Sequence, residues 1–268
     1  MTLIYKKNEV FLKVEAEPHL HKELSDHFQF EVPGAKYMPA VKRRYWDGKI
    51  RLYSPGTGEI YCGLFDYLTD YLEEKGYDYK VVEDKYYGRP NEVEEYVTPE
   101  GTAAFIRALR IPFKIRDYQL RGIYTAIKFR RKLLLSPTGS GKSLIIYALV
   151  RWHLLKKRQI LIIVPTVSLV EQLYKDFVEY GWNVRHYVHK ISAGEEKYVD
   201  NPVVISTWQS IYKESKKFFE RFDVVIGDEA HLYKAKSLTG ILTKCYDAKY
   251  KVGLTGTLDG MESHQLVL

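Results

Sequence analysis

The sequence has 268 residues, of which 46% are hydrophobic and 28% charged, and its net charge is +7. This size allows one or two globular domains with a substantial core, and the excess of basic residues favours a polyanionic partner. No apolar run reaches transmembrane length, the N-terminus lacks a signal-peptide pattern, and Cys62 and Cys245 fit no metal-binding spacing, so we expect a cytoplasmic protein from a reducing compartment.

The first ninety residues predict a small mixed α/β domain. Residues 10–14 and 79–82 are typical of strands, and residues 19–28 and 65–75 are typical of helices. Asp47-Gly48 stands between two strand-like runs, which predicts a two-residue hairpin over residues 41–53.

One face of this predicted hairpin is basic and aromatic. It would carry Lys42, Arg44, Trp46, Lys49, Arg51 and Tyr53. Like charges opposite each other destabilise a hairpin, whereas a phosphate backbone would relieve the repulsion and an aromatic ring could pack on a sugar or base. We therefore predict duplex-DNA contacts from Arg44, Trp46, Lys49 and Arg51. The alternative is a solvated edge strand with Trp46 in the core.

A polar, acidic stretch with interspersed proline and glycine follows, over residues 83–100. It predicts a linker or a long surface connection. A helical pattern at 103–109 is broken at Ile111-Pro112, so residues 91–112 are interpreted as a linker and a helix.

From residue 113 onward the pattern alternates helices with short apolar strands. Helices are predicted near 117–130, 143–156, 168–180 and 208–220, and strands at 133–136, 160–165, 203–206, 222–227 and 251–255. The strands are apolar on both faces, which indicates a parallel sheet covered by helices on both sides. The predicted fold class is therefore α/β, and ligands are expected at the carboxyl ends of the strands.

A phosphate-binding loop is predicted after the first of these strands. Residues 136–143 read Ser-Pro-Thr-Gly-Ser-Gly-Lys-Ser, between an apolar strand and a helix. The glycines allow the backbone amides of this loop to surround phosphate, the helix dipole adds positive potential, and the last two side chains reach phosphate and Mg²⁺. The predicted nucleotide contacts are Thr138, Gly139, Ser140, Gly141, Lys142 and Ser143. The strict pattern would have glycine at position 136.

A pair of carboxylates follows another buried strand. Asp228 is predicted to hold Mg²⁺ together with Ser143, and Glu229 to orient and deprotonate the attacking water. A Gly/Ser-rich turn or an Asp-Glu pair alone is often an ordinary loop. Because both follow strands in the right order, they predict a site that binds and hydrolyses a nucleoside triphosphate.

Residues 116–257 resemble the first motor domain of superfamily-2 helicases in the DEAH form, which implies a RecA-like fold. Arg116 and Gln119 resemble the segment with which this family recognises adenine. An amide such as that of Gln119 can hydrogen-bond both N6 and N7 of adenine, so the resemblance implies that the nucleotide is ATP. Residues 136–143 match that family's own version of the phosphate loop, in which the first glycine is absent. Further similarities imply that Pro165, Thr166, Thr207 and Gln209 contact a DNA strand, and that His231, Thr255 and Thr257 couple hydrolysis to DNA movement.

The segment Tyr-Trp-Asp-Gly-Lys-Ile-Arg-Leu at 45–52 resembles the N-terminal region of the UvsW family of T-even phage helicases. This resemblance implies remodelling of branched DNA, including forks, Holliday junctions and R-loops, in recombination, repair and replication. It also implies that residues 1–90 bind duplex DNA while residues 113–268 form the first RecA-like ATPase domain.

By the same resemblance, a second RecA-like domain supplies arginine fingers, and this sequence has no counterpart to it. We therefore expect a fragment that binds ATP and DNA weakly, hydrolyses slowly and does not unwind. Two alternatives stay open: the motor of a restriction enzyme or RNA helicase, and a non-catalytic DNA-binding module. The intact Lys142, Ser143, Asp228 and Glu229 argue against the second.

Overall fold

The computed structural model describes residues 1–137, 139–192, 195–229 and 235–256, with the backbone alone given for 235–238. The chain forms two compact units, the first spanning Met1–Asn91 and the second beginning at Glu92. Among the described residues, no helix is long and apolar enough to cross a membrane.

The first unit is built on a mixed sheet. Its elements are β1 (Thr2–Lys6), β2 (Phe11–Glu15), α1 (Pro18–His27), β3 (Gln29–Glu31), α2 (Pro39–Lys42), β4 (Lys49–Arg51), β5 (Tyr53–Ser54), β6 (Glu59–Tyr61), α3 (Phe65–Glu74) and β7 (Tyr79–Val82). The main sheet has the order β5-β6-β2-β1-β7, with β1 antiparallel to β2 and parallel to β7. Its core includes Ile4, Leu12, Leu24, Ile60 and Leu68.

The predicted hairpin over residues 41–53 is wrong. Strand β4 pairs antiparallel with β3, so Ile50 lies opposite Phe30, and residues 39–42 form the short helix α2. Pro39 begins this helix, where its fixed φ is favourable, and Gly48 (φ 79°) accepts a hydrogen bond from the Val32 amide at 2.8 Å. The Asp-Gly turn therefore directs β4 to an earlier strand rather than to the residues just before it.

The second unit is an α/β domain. Its elements are α4 (Pro99–Ala108), α5 (Asp117–Phe129), β8 (Arg131–Leu135), α6 (Lys142–Leu155), β9 (Ile160–Val164), α7 (Val167–Glu179), β10 (Val188–Ile191), β11 (Val203–Thr207), α8 (Trp208–Ile211), α9 (Lys216–Phe219), β12 (Val224–Gly227), α10 (Ala235–Leu242) and β13 (Tyr250–Thr255).

Within the described ranges the strands of this unit form one six-stranded parallel sheet with the order β10-β11-β9-β12-β13-β8. Side chains from α5, α6 and α7 fill one face, and side chains from α8, α9 and α10 fill the other. Because β9 and β12 are fully buried, their apolar side chains pack on both faces. The predicted α/β fold class, a parallel sheet flanked by helices and preceded by a small mixed α/β unit, is confirmed.

The single helix predicted at 208–220 is two short helices, α8 and α9. The Lys244 ammonium donates hydrogen bonds to the carbonyl oxygens of Tyr212 (2.7 Å) and Glu214 (2.8 Å), between the two helices. These carbonyls are therefore satisfied by a distant side chain instead of by a continuing helix.

The segment before α4 is fixed to the second unit. Lys128 Nζ donates to the carbonyl oxygens of Glu94 and Val97 at 3.0 and 3.4 Å, and Arg130 Nε lies 2.9 Å from Glu94 Oε1. The Tyr250 hydroxyl also donates to the Glu94 carboxylate. Because this carboxylate accepts from both groups, its pKa is lowered even though burial alone would raise it.

Candidate active site

The phosphate loop joins the carboxyl end of β8 to the first turn of α6. Gly139 and Gly141 have φ values of 78° and 80°, a conformation that glycine adopts without strain. Gly141 is also the N-cap residue of α6, so the helix begins with Lys142 and Ser143. Thr138 lies outside the described residues.

Hydrogen bonds at both ends of the loop define its shape. The Ser136 amide donates to the Thr255 carbonyl oxygen at 2.7 Å, and the hydroxyls of Ser136 and Ser140 are 2.6 Å apart. The Ser140 carbonyl oxygen accepts from the Tyr118 hydroxyl and from Gln119 Nε2, each at 2.8 Å. The loop is therefore held by α5 on one side and by the end of β13 on the other.

Gln119, the residue predicted to read adenine, is buried against this loop. Its Oε1 accepts from the Arg116 amide at 2.9 Å, while Nε2 donates to Ser140. The Arg116 guanidinium donates to the Tyr118 hydroxyl at 3.0 Å. An amide oxygen has a second lone pair and an amide nitrogen a second hydrogen, so Gln119 retains one acceptor and one donor position beyond these two bonds.

One of the two strand-end carboxylates, that of Glu229, contacts the residue that follows the phosphate-loop glycines. Lys142 Nζ forms an ion pair with Glu229 Oε1, and both side chains are largely buried. The Asp228 amide donates to the Ile163 carbonyl oxygen at 2.9 Å, which continues the pairing of β12 with β9. Glu229 follows with φ of 49°, an uncommon conformation for a residue with a side chain. The turn after β12 therefore aims Glu229 at the start of α6.

Ser143 and Asp228 fit a magnesium ion by their chemistry. A hydroxyl and a carboxylate are hard oxygen donors, and protein sites commonly hold Mg²⁺ with one or two such groups plus substrate phosphates. Ser143 directly follows Lys142 and Asp228 directly precedes Glu229, so each donor is the chain neighbour of one member of the ion pair. Among the described residues no group of three or more His, Cys, Asp and Glu side chains forms a larger metal cluster.

A second layer lies behind Ser143. Its hydroxyl is 2.7 Å from the Tyr180 hydroxyl, and the Asp176 carboxyl lies nearby. Burial raises the pKa of Asp176, while the Ser143 hydroxyl lowers it in part. Neither α7 residue carries a motif, and no sequence signal pointed to them.

The segments predicted to contact a nucleic-acid strand lie at the ends of two neighbouring strands. Pro165 follows β9 and Gln209 lies in α8 after β11, and Gln209 Nε2 donates to the Pro165 carbonyl oxygen at 3.3 Å. Thr166 and Thr207 are the N-cap residues of α7 and α8, accepting from the amides of Leu169 and Ser210. The structure thus brings these four predicted contacts together.

Of the predicted coupling residues, Thr255 ends β13, and its carbonyl oxygen bonds the phosphate loop. His231 and Thr257 lie outside the described residues.

The predicted DNA contacts of the first unit have different surroundings from those expected. Trp46 Nε1 donates to the Lys49 carbonyl oxygen at 2.9 Å, and Arg51 pairs with Asp47 at 2.5 Å, so these groups form an internal turn. Arg44 is exposed and has φ of 59°.

Around Arg44 the chain exposes a set of basic and aromatic side chains, of which the basic face of the predicted hairpin included only Lys42 and Arg44. These exposed residues, here called the basic segment, are Lys36, Tyr37, Met38, Lys42, Arg43, Arg44 and Tyr45. Tyr45 is 84% exposed and Tyr37 is 68% exposed. Their signal was the alternation of basic and aromatic residues, but its interpretation needed the correct local fold.

Two family models match the chain. Residues 112–260 match "Type III restriction enzyme, res subunit", and residues 4–84 match "DNA helicase UvsW, N-terminal". The two matches correspond to the second and first compact units respectively.

Individual proteins agree with these models. The "ATP-dependent DNA helicase uvsW" of Enterobacteria phage T4 is 31% identical over 256 residues, which are 92% of this chain and 50% of that protein. The "DNA 3'-5' translocase XPB2" of Sulfurisphaera tokodaii is 27% identical over 81% of this chain and 46% of its own length. The chain thus spans about half the length of these relatives.

A solved structure extends the comparison to three dimensions. The crystal structure of the UvsW helicase from bacteriophage T4 superimposes with a TM-score of 0.88 at 30% identity, covering 98% of this chain and 95% of that one. Sequence, both family models and fold therefore lead to one assignment. The chain belongs to the superfamily-2 helicases, in the family of the phage UvsW helicase.

Proposed function

We propose that this chain is the first motor half of an ATP-dependent DNA helicase or translocase. The observation that carries the proposal is the ion pair between Lys142 and Glu229, because it joins the phosphate loop to the strand-end carboxylates. The similarity to a phage protein named as an ATP-dependent DNA helicase supports it.

In this proposal the chain's own residues bind ATP and activate water. Loop amides and Lys142 bind the phosphates, and Glu229 takes the proton of the water that attacks the γ-phosphorus, with ADP as leaving group. Ser143 and Asp228 would hold Mg²⁺, which supplies positive charge to the phosphates when bound. Arg116 and Gln119 would select adenine.

The proposed DNA track passes the carboxyl ends of β9 and β11. Backbone amides and hydroxyls around Pro165, Thr166, Thr207 and Gln209 would hold phosphates without reading sequence. Thr255, with Thr257 and His231, would couple hydrolysis to movement, and a second RecA-like domain would close over the nucleotide.

We further propose that residues 1–90 bind duplex DNA and that residues 113–268 form the motor domain. Residues 91–112 would form the linker and helix between these two domains. The exposed basic segment supports duplex binding, since four cations and two tyrosines lie within ten residues, 36–45. Branched DNA, including forks and R-loops, is the proposed substrate because of the resemblance to the UvsW family.

The test compares nucleotide binding and DNA binding by the 268-residue chain. We expect a fluorescent ADP analogue to bind the wild type in the presence of Mg²⁺, and Lys142→Ala to weaken this binding by at least about tenfold, since it removes a charged hydrogen bond to phosphate. Lys217→Ala, an exposed lysine in α9, is the matched control.

Forked DNA and a matched RNA fork serve as nucleic-acid ligands in the same experiment. Preference for DNA, retained in Lys142→Ala, supports the helicase proposal. Preference for RNA would favour an RNA motor, and a wild-type chain that binds no nucleotide would favour a non-catalytic DNA-binding module.

A further inference from the structure

The hydroxyl of Ser143 lies next to two polar side chains of one neighbouring helix region. The hydroxyl of Tyr180, which follows α7, lies 2.7 Å from it, and Asp176, one turn earlier in α7, is close enough for the Ser143 hydroxyl to lower the pKa of its carboxyl in part. Motif similarity assigns roles to Ser143 and to its neighbours in the loop, but none to Asp176 or Tyr180. The contact therefore needs an explanation of its own.

Hydrogen-bond chemistry gives this contact a direction. A carboxylate only accepts, so the nearby Asp176 carboxylate favours a Ser143 hydrogen directed toward it. Tyr180 can donate its own hydrogen to one of the two remaining lone pairs of Ser143 Oγ. One lone pair is then left for a cation, which is the arrangement that a metal-ligating hydroxyl requires.

The position of the Tyr180 hydroxyl is imposed by packing. Its ring contacts Tyr147 at a centroid distance of 5.2 Å and Phe113 at 5.8 Å, both in edge-to-face geometry. Tyr147 is fully buried and lies one turn after Ser143 in α6. A rigid aromatic cluster therefore presents the phenol to Ser143, and a ring with restricted motion orients its partner at little entropic cost.

We propose that Tyr180 and Asp176 are positioning residues that orient the Ser143 hydroxyl for the Mg²⁺ of a bound nucleotide. This inference rests on the proposed ATPase function of the site. It assigns to the end of α7 a part in metal affinity, in addition to the packing of α7 against α6.

The experiment measures binding of a fluorescent ADP analogue to the 268-residue chain as a function of Mg²⁺ concentration, with an EDTA series as the metal-free reference. We expect Tyr180→Phe to raise the Mg²⁺ concentration for half-maximal binding by about 10- to 100-fold, as for other outer-shell partners of metal ligands. Binding in EDTA should be unchanged, because the ring and its packing remain. Asp176→Asn should act in the same direction.

Two controls isolate the hydroxyl contact. Tyr174→Phe makes the same chemical change within α7, the helix that Tyr180 caps, at a tyrosine whose ring lies under Lys190, and should leave the Mg²⁺ dependence unchanged. In a Ser143→Ala background, Tyr180→Phe should add no further loss, since the two changes remove one interaction.

Three outcomes would overturn the inference: no change in Mg²⁺ dependence in both Tyr180→Phe and Asp176→Asn, equal weakening with Mg²⁺ and with EDTA, or a full additional loss in the Ser143→Ala background. If Tyr180→Phe fails to fold, Asp176→Asn decides alone. A wild-type chain that binds no Mg²⁺–nucleotide would instead refute the proposed function together with the inference, so the two failures are distinguishable.

Discussion

The side chain of Gln119 fills the space that a side chain at position 141 would need. A β-carbon built on Gly141 would lie 2.4 Å from Nε2 of Gln119, well inside contact distance. At Gly139, by contrast, a β-carbon would meet no atom within 4 Å, although the two glycines have nearly equal φ values. The two positions therefore separate backbone strain from a steric clash.

The first prediction uses this pair of glycines. Gly139→Ala should destabilise the native loop conformation by about 1 kcal/mol, because alanine would have to adopt a positive φ. Gly141→Ala should destabilise it more, because the new methyl group would also displace either the loop or Gln119. We expect nucleotide affinity to fall about tenfold further in Gly141→Ala than in Gly139→Ala, an added cost of about 1.4 kcal/mol. Titration with a fluorescent ADP analogue measures the difference, and equal losses would contradict the clash.

The second prediction concerns the competition for Lys142. Because Glu229 pairs with Lys142, a phosphate bound by this lysine must displace a carboxylate. Glu229→Gln should therefore bind ADP about tenfold more tightly, since a charged hydrogen bond contributes roughly 1.5–3 kcal/mol, while hydrolysis is lost with the proposed base.

The matched control for this charge change is Glu220→Gln, at an exposed position after α9. It should leave ADP affinity within twofold of the wild type. Weaker ADP binding by Glu229→Gln would show that the carboxylate supports the site rather than competing for the lysine.

The third prediction concerns the basic segment of the first unit. Replacing Lys42, Arg43 and Arg44 together by alanine should weaken duplex binding. If each cation contacts one phosphate, the slope of log K against log salt should fall by about 2.7. Fluorescence anisotropy at several salt concentrations measures this slope.

The control for this triple variant removes the same charge from the same unit. Lys75, Lys80 and Lys85 are exposed and can be replaced together by alanine. An equal loss of slope in the two variants would mean that net charge, and not the basic segment, governs binding.

The fourth prediction is a pH dependence of stability that arises from His153. This side chain is fully buried, accepts a hydrogen bond from Arg158 at Nδ1 (3.0 Å) and packs on Tyr250. Burial, reinforced by the Arg158 charge, lowers the pKa of His153 to about 3. The folded chain therefore keeps it neutral at pH values where the unfolded chain takes up a proton.

The sign follows from this difference. Above about pH 6.5 the histidine is neutral in both the folded and the unfolded chain, so it does not affect stability. Below this pH only the unfolded chain binds the proton, and the free energy of unfolding decreases progressively as the pH falls toward the folded-state pKa. Between pH 7 and pH 5 the loss from this group should be about 2 kcal/mol. Urea unfolding at both pH values measures the decrease in the free energy of unfolding. This decrease should be about 2 kcal/mol smaller in His153→Phe than in the wild type, and an equal decrease in the two proteins would exclude His153 as its source.

Much of the second unit could be predicted because its signals are local. Runs such as Ile160–Val164 are apolar throughout, and a strand buried on both faces requires that pattern.

Strand β1 of the first unit was not predicted, because its inward positions include a lysine. Lys6 is 2% exposed and is paired with Glu9 at 2.8 Å. Because a charged residue occupies an inward position, the sequence of this strand does not show the alternation of apolar and polar residues that predicts a strand.

The remaining differences depend on contacts between residues that are distant in the chain. The Asp47-Gly48 turn was predicted, but the partner of β4 was not, because pairing with Phe30 is a property of the folded unit. The contact of Tyr180 with Ser143 likewise requires the packing of α7 on α6. Motifs thus predicted the groups that we propose to carry the chemistry, while the contacts around these groups became visible only in three dimensions.

The hydrogen bond from Ser136 to Thr255 extends the pairing of β8 with β13 into the phosphate loop itself. In the described part of the sheet, β8 is a border strand and β13 separates it from β12, which ends next to Asp228. A displacement of the loop would therefore strain the backbone ladder at the tip of β13. Movement of the loop would reach the inner strands of the sheet through the main-chain hydrogen bonds that join β8, β13 and β12.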